Sequence, residues 1–208
     1  MLPTAISIDE AQVRVDPSDL RPLIKPREWL KHRPLSADGF SESPACLALS
    51  RSLVVAFTCG TIILSQRGLD RLGLSVHAAW DVCALNLERA ARTPDGIEFY
   101  TRSVAHRLGA TNPRGVEVRV RGTRAQSWLA HPQTFSIVHQ QLLCLCRVAE
   151  LTYVLPDETS LFAFFGPVTP RIAHIAAQST SAAQVPLRWS NGFPTEADHT
   201  KPQIPFCT

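Results

Sequence analysis

No uninterrupted apolar run in the chain approaches membrane-spanning length. The longest, Leu53 to Leu64, is broken by Thr58, Cys59, Gly60 and Thr61 and falls short of the ~20 residues that a bilayer-crossing helix needs. The first residues, Met-Leu-Pro-Thr-Ala-Ile-Ser, do not form a basic start followed by an apolar stretch, so no secretory signal is read there and a cytoplasmic setting is expected. Cysteine is sparse. Cys46, Cys59, Cys83, Cys144, Cys146 and Cys207 are too few for a disulfide scaffold, and four of them lie in apolar segments, which predicts reduced core thiols. The ten glycines never take the spacing of a phosphate loop or a dinucleotide fingerprint, so no nucleotide cofactor is expected. Ser127 lacks the flanking glycines of a nucleophile elbow. No internal repeat occurs.

What is present reads as a globular chain. Its 208 residues are 45% hydrophobic and 19% charged, enough for one substantial core. Residues 1–45 carry six prolines and predict a wrapping arm of short turns and extended chain, with a short helix from Pro26 through His32. Residues 181–208 predict an extended tail without structure of its own, with Trp189 and Phe193 as anchors. Between them, residues 46–180 form the expected domain.

Its apolar runs Cys46–Ser50, Leu53–Phe57 and Thr61–Leu64 predict a three-stranded meander. Ser65 caps a short helix that Gly73 ends, and Ser75 caps a second running to about Arg92, with Val76, Ala79, Trp80, Cys83, Leu87 and Ala90 on one stripe. Pro94-Asp95-Gly96 turns the chain into strands at Ile97–Val104 and Val116–Arg121. A helix follows from Pro132 to about Ala149, then a hairpin of Leu151–Leu155 and Leu161–Phe165. Thr169-Pro170 opens a last helix to about Gln178. Clustered strands with helices between them predict an α+β fold, a mainly antiparallel sheet with three or four helices packed on it.

The order Ile62-Ile63-Leu64-Ser65, Gly68-Leu69-Asp70-Arg71-Leu72-Gly73-Leu74-Ser75, Ala84-Leu85-Asn86-Leu87 and Phe99-Tyr100 resembles the uncharacterised bacterial YtpQ-like family. Ala125-Gln126-Ser127-Trp128-Leu129 and Tyr153-Val154-Leu155-Pro156-Asp157 look like that family's later segments. The likeness covers roughly residues 46–166. Val120-Arg121-Gly122-Thr123-Arg124 replaces the acidic run that the family carries before its Ala-Ser segment. The family has no assigned activity, so the resemblance implies a fold and a bacterial cytoplasmic setting only.

Two constellations carry possible chemistry. Cys144 and Cys146 lie near His131 and His139, but helix neighbours two apart point about 200° away from each other, so no metal site is expected. From Thr101 to Arg124 there are six arginines against the single acid Glu117, a local balance of +5 in a chain of net charge +3. In the strand Val116–Arg121 the valines alternate with Glu117, Arg119 and Arg121, which predicts an exposed arginine face. Arg119, Arg121 and Arg124 are the expected ligand-binding residues, directed at a protein partner or an anionic ligand. Specific nucleic-acid binding is not expected, because no aromatic residues are seen to interleave on that face. The leading reading is a non-enzymatic binding domain. The alternative is an enzyme with a dispersed site of Arg119, Arg121, Arg124, Ser127, His131 and His139.

The helix from Pro132 is apolar on two sides. Phe135, Val138, Leu142, Cys146 and Ala149 form one face, expected against the sheet. Ile137, Cys144 and Val148 form the other, expected beneath the arm, the last helix or a second subunit of a homodimer.

Overall fold

The computed structural model describes residues 15–32, 43–109, 113–180 and 183–197. The three strands expected over residues 46–64 form as β2 (Cys46–Ala48), β3 (Leu53–Cys59) and β4 (Ile62–Ile63), but not as a meander: β2 and β4 both pair antiparallel along one edge of β3, because residues 20–26 take its other edge. The arm differs from expectation, for it contributes a strand, β1 (Leu20–Pro26), that pairs with β3 from Leu20↔Cys59 to Pro26↔Leu53. Proline is tolerated because β1 is the edge of its sheet, whose order is β1-β3-β2. Pro22 and Pro26 are an even number of residues apart, so both missing N–H groups fall on the side away from β3. Accordingly the Pro22 carbonyl accepts from Ser127 Oγ at 2.8 Å rather than joining the ladder. A 3-10 turn, Pro17–Asp19, leads into β1, and another, Arg27–His32, follows it.

The two capped helices are α1 (Gln66–Arg71) and α2 (Val76–Ala91), with Ser65 Oγ accepting from the Gly68 N–H and Ser75 Oγ from the Ala78 N–H. Gly73 between them adopts φ +66°, a left-handed conformation that glycine takes without a steric penalty. Asn86 is buried on α2 and donates its side-chain amide to the carbonyls of Pro17 and Leu20 at 2.7 and 3.1 Å, tying the start of β1 to the helix.

The rest of the chain builds a larger sheet. A small hairpin, β5 (Arg92–Thr93) and β6 (Gly96–Ile97), leads into β7 (Phe99–Ser103), α3 (Ala105–Leu108) and β8 (Gly115–Val120). A 3-10 helix, Ala125–Ala130, precedes α4 (Pro132–Cys146), and then come β9 (Leu151–Val154), β10 (Leu161–Phe165), α5 (Pro170–Ala177), β11 (Leu187–Ser190) and β12 (Phe193–Glu196). The sheet order is β12-β11-β9-β10-β8-β7, every pairing antiparallel. The fold is α+β.

The tail is therefore not structureless: residues 187–196 form a hairpin that adds two strands to the sheet. Its anchors dock as expected, the Trp189 ring stacking on His139 at 4.9 Å and Phe193 lying 6.3 Å from Trp80. Parts of the expected arm and tail, residues 1–14, 33–42, 181–182 and 198–208, lie outside the described residues.

One face of the large sheet packs Val118, Tyr153 and Leu161 against Trp128 and against Phe135, Val138 and Leu142 of α4, all buried. The other face packs Val154, Phe162 and Phe164 beneath Ile172 and Ala176 of α5. Helix α4 stops at Cys146, short of the expected Ala149, because Arg147 turns left-handed at φ 53°, ψ 48°. Val148 is thus off the helix. Of the expected second face, Ile137 and Val148 are partly buried against the main core, while Cys144 is exposed.

Candidate functional site

Arg119 and Arg121 do lie on an open sheet face, with side chains 65% and 60% exposed, but each already faces an acid. Glu117 is not solvated as expected: its side chain is buried under three guanidinium groups, Arg102 at 2.5 Å, Arg119 at 3.5 Å and Arg107 at 3.6 Å. Arg107 lies over the Phe162 ring and also holds Asp157 at 2.6 Å and Ser160 Oγ at 2.7 Å. Arg121 meets Glu98 at 3.4 Å. Burial alone would raise the Glu117 pKa, but the Arg102 hydrogen bond and the charges of Arg102, Arg119 and Arg107 outweigh it and hold the carboxyl below its ordinary value. Asp157 is driven well below its usual range, against burial, by hydrogen bonds from Thr159, Arg107 and Ser160. Glu98 and Asp157 come from neighbouring segments, so part of the local excess of positive charge is cancelled in space.

Arg124 differs. It is exposed, makes no hydrogen bond or ion pair among the described residues, and reaches only Glu158 at longer range, where Lys25 is the larger influence. It borders a cleft of about 930 Å³ between the first sheet and the segment leaving the second. Three stretches distant in sequence form the walls: Asp19 to Leu23, the Thr58–Ile62 turn, and Gly122–Thr123–Arg124 with Ser127. Arg21 lies on the other wall, where one guanidinium nitrogen donates at 2.8 Å to the carbonyls of Ser18 and Leu20 and fixes the group in place. Thr123 Oγ1 accepts from the Trp128 indole at 2.8 Å, leaving its own proton free to donate. Leu23, Ile62 and Leu87 supply an aliphatic floor, and among the described residues that line the cleft none is aromatic and Asp19 is the single acid.

Of the dispersed set, only Arg124 and Ser127 meet here. Ser127 is buried and its hydroxyl is committed to Pro22. His131 caps α4: its Nδ1 accepts the Gln133 N–H at 3.2 Å, its Nε2 lies 3.2 Å from Asp81, and its ring packs against Trp80 at 4.5 Å. His139 bonds the Tyr153 hydroxyl through Nδ1 at 2.8 Å, and burial lowers its pKa. Neither histidine lines the cleft, so among the described lining residues Ser127 has no imidazole base. Arg21, Thr58, Thr61 and Thr123 carried no sequence signal, because only the pairing of β1 with β3 and the turn after β8 bring them to one place.

Among the described residues, no group of three or more His, Cys, Asp or Glu is placed to hold a metal ion, and no helix is long and apolar enough to cross a membrane. The fold and site define an α+β protein with two larger antiparallel sheets, a small two-stranded hairpin and an arginine-flanked cleft. Comparison with known protein families, curated proteins and solved structures gives no match. The resemblance to the YtpQ-like family therefore rests on its motifs alone.

Proposed function

We propose that this protein is a binding domain for a small molecule with an anionic head, a carboxylate or phosphate, on an aliphatic body. The observation that carries this is Arg124, uncommitted among the described residues at the mouth of a cleft whose second arginine, Arg21, is already oriented. A fixed guanidinium binds an anion with less ordering cost, and its planar donors suit carboxylate and phosphate alike. The volume of about 930 Å³ lies in the range of ligand-sized pockets. The lining favours an aliphatic ligand over a nucleotide, since its described residues offer no ring on which a base could stack. Arg119 and Arg121 serve on this reading to hold the sheet through Glu117 and Glu98.

Thermal melting in the presence of octanoate, octyl phosphate, octanol and inorganic phosphate tests the proposal. Octanoate or octyl phosphate should raise the melting temperature while octanol does not, and the better of the two identifies the head group. Equal effects of octanol and octanoate would show that the cleft does not read charge.

A further inference from the structure

The large sheet ends at β7, and no strand pairs with its outer edge among the described residues. Two backbone bonds fix which groups that edge presents. Val104 N–H reaches Gly115 O and Glu98 N–H reaches Ala91 O, each at 3.1 Å. Even-numbered residues of the segment therefore turn their N–H and C=O groups inward to β8 and β5, and Phe99, Thr101 and Ser103 turn theirs outward. The edge carries neither lysine nor proline, the residues that commonly block edge pairing.

Both faces beside the edge expose side chains to solvent. On the α4 side, a groove of about 340 Å³ lies between Ile97, Phe99 and Leu142, with Leu145 standing 64% exposed at its rim beside exposed Cys144. On the opposite face are Tyr100, 52% exposed, and Arg102, whose Nε is held by Glu117.

From these relations we infer that β7 pairs antiparallel with β7 of a second copy about a two-fold axis at Thr101, joining the two large sheets into one. Such an interface must be self-complementary, and three features make it so. Thr101 faces the partner's Thr101 as a hydrogen-bonded pair, with Phe99 opposite the partner's Ser103, so all the outward groups are matched. Tyr100 then lies across from the partner's Arg102, and the symmetry repeats this favourable cation and ring contact twice. The apolar part is neutral. Helix α4 contains no Asp, Glu, Lys or Arg, and the nearby Arg121 and Glu98 satisfy each other, so a charged partner would find no counter-charge, whereas a second copy brings the same neutral strip and an exposed leucine beside a hollow.

Light scattering on the full chain, coupled to size exclusion, tests this with two variants. Wild type should have twice the 22.9 kDa chain mass. Thr101→Pro removes an N–H that the single copy does not use, so the variant should keep its circular dichroism and halve the mass. Leu145→Glu should weaken the dimer from the groove side, and it decides the matter if Thr101→Pro fails to fold. A wild-type monomer up to the solubility limit would overturn the inference. So would a dimer unmoved by either folded variant.

Discussion

Ser127 Oγ donates to the Pro22 carbonyl at 2.8 Å, so that the 3-10 helix before α4 fastens the edge of the first sheet. Both groups lie at the cleft wall, and the serine is thereby a fixed strut. Ser127→Ala leaves the carbonyl without its donor and should lower unfolding stability by about 1–3 kcal/mol, read from urea denaturation. A loss near zero would mean that water replaces the hydroxyl freely.

The Arg102–Glu117–Arg107–Asp157 network makes stability sensitive to acid. Both carboxyls are held below their ordinary pKa values, so their stabilisation is complete above the unfolded carboxylate range of about pH 4 and is lost as pH falls toward the folded values. Denaturation midpoints measured downward from neutral pH should therefore fall below about pH 4, and less steeply in Glu117→Gln. Glu117→Ala, which removes the charge-assisted hydrogen bond to Arg102 but leaves guanidinium groups that water can reach, should cost about 1.5 kcal/mol at neutral pH. An unchanged acid profile in Glu117→Gln would show that other groups set it.

His139 stacks on Trp189 and bonds Tyr153, joining α4 to the C-terminal hairpin. Burial lowers its pKa, so the unfolded chain binds the proton more readily, and stability should drop as pH falls below the unfolded histidine value of about 6.5. His139→Gln should flatten that part of the curve, followed by Trp fluorescence during denaturation at about pH 5 and about pH 7. An identical slope in the variant would contradict the assignment.

The regular elements were legible in the sequence where local chemistry decides them: the caps at Ser65, Ser75 and Thr169, the glycine at position 73, and the apolar stripe of Phe135, Val138 and Leu142 all act within one or two turns. Strand β1 was obscured because two prolines read as breakers unless the strand is known to be an edge. The C-terminal hairpin was missed because its turn, Asn191-Gly192 at φ 49° and 88°, lies between strands containing Arg188, Pro194 and Glu196, which lack an alternating apolar pattern. The arginine face misled for another reason: counting charge along the chain omits Glu98 and Asp157, which arrive through folding. Arg124 was on the expected list, but its companion Arg21 is 103 positions away, and nothing local joins them.

That hairpin turn gives a separate test. A Cβ on Gly192 would lie 2.5 Å from Pro132 Cβ and 2.8 Å from its Cα, and the positive φ adds strain. Gly192→Ala should destabilise by about 2 kcal/mol or more in thermal denaturation. A neutral result would show that the hairpin and the start of α4 separate without cost.

The cleft itself is tested most directly by isothermal titration calorimetry of octanoate into the wild type and Arg124→Ala. A charge-assisted hydrogen bond contributes about 1.5–3 kcal/mol, so affinity for octanoate should fall roughly tenfold to a hundredfold in the variant. Arg119→Ala, on the paired sheet face, should bind as the wild type does. Equal affinity in wild type and Arg124→Ala, or a loss confined to Arg119→Ala, would contradict the assignment of the cleft as the binding site.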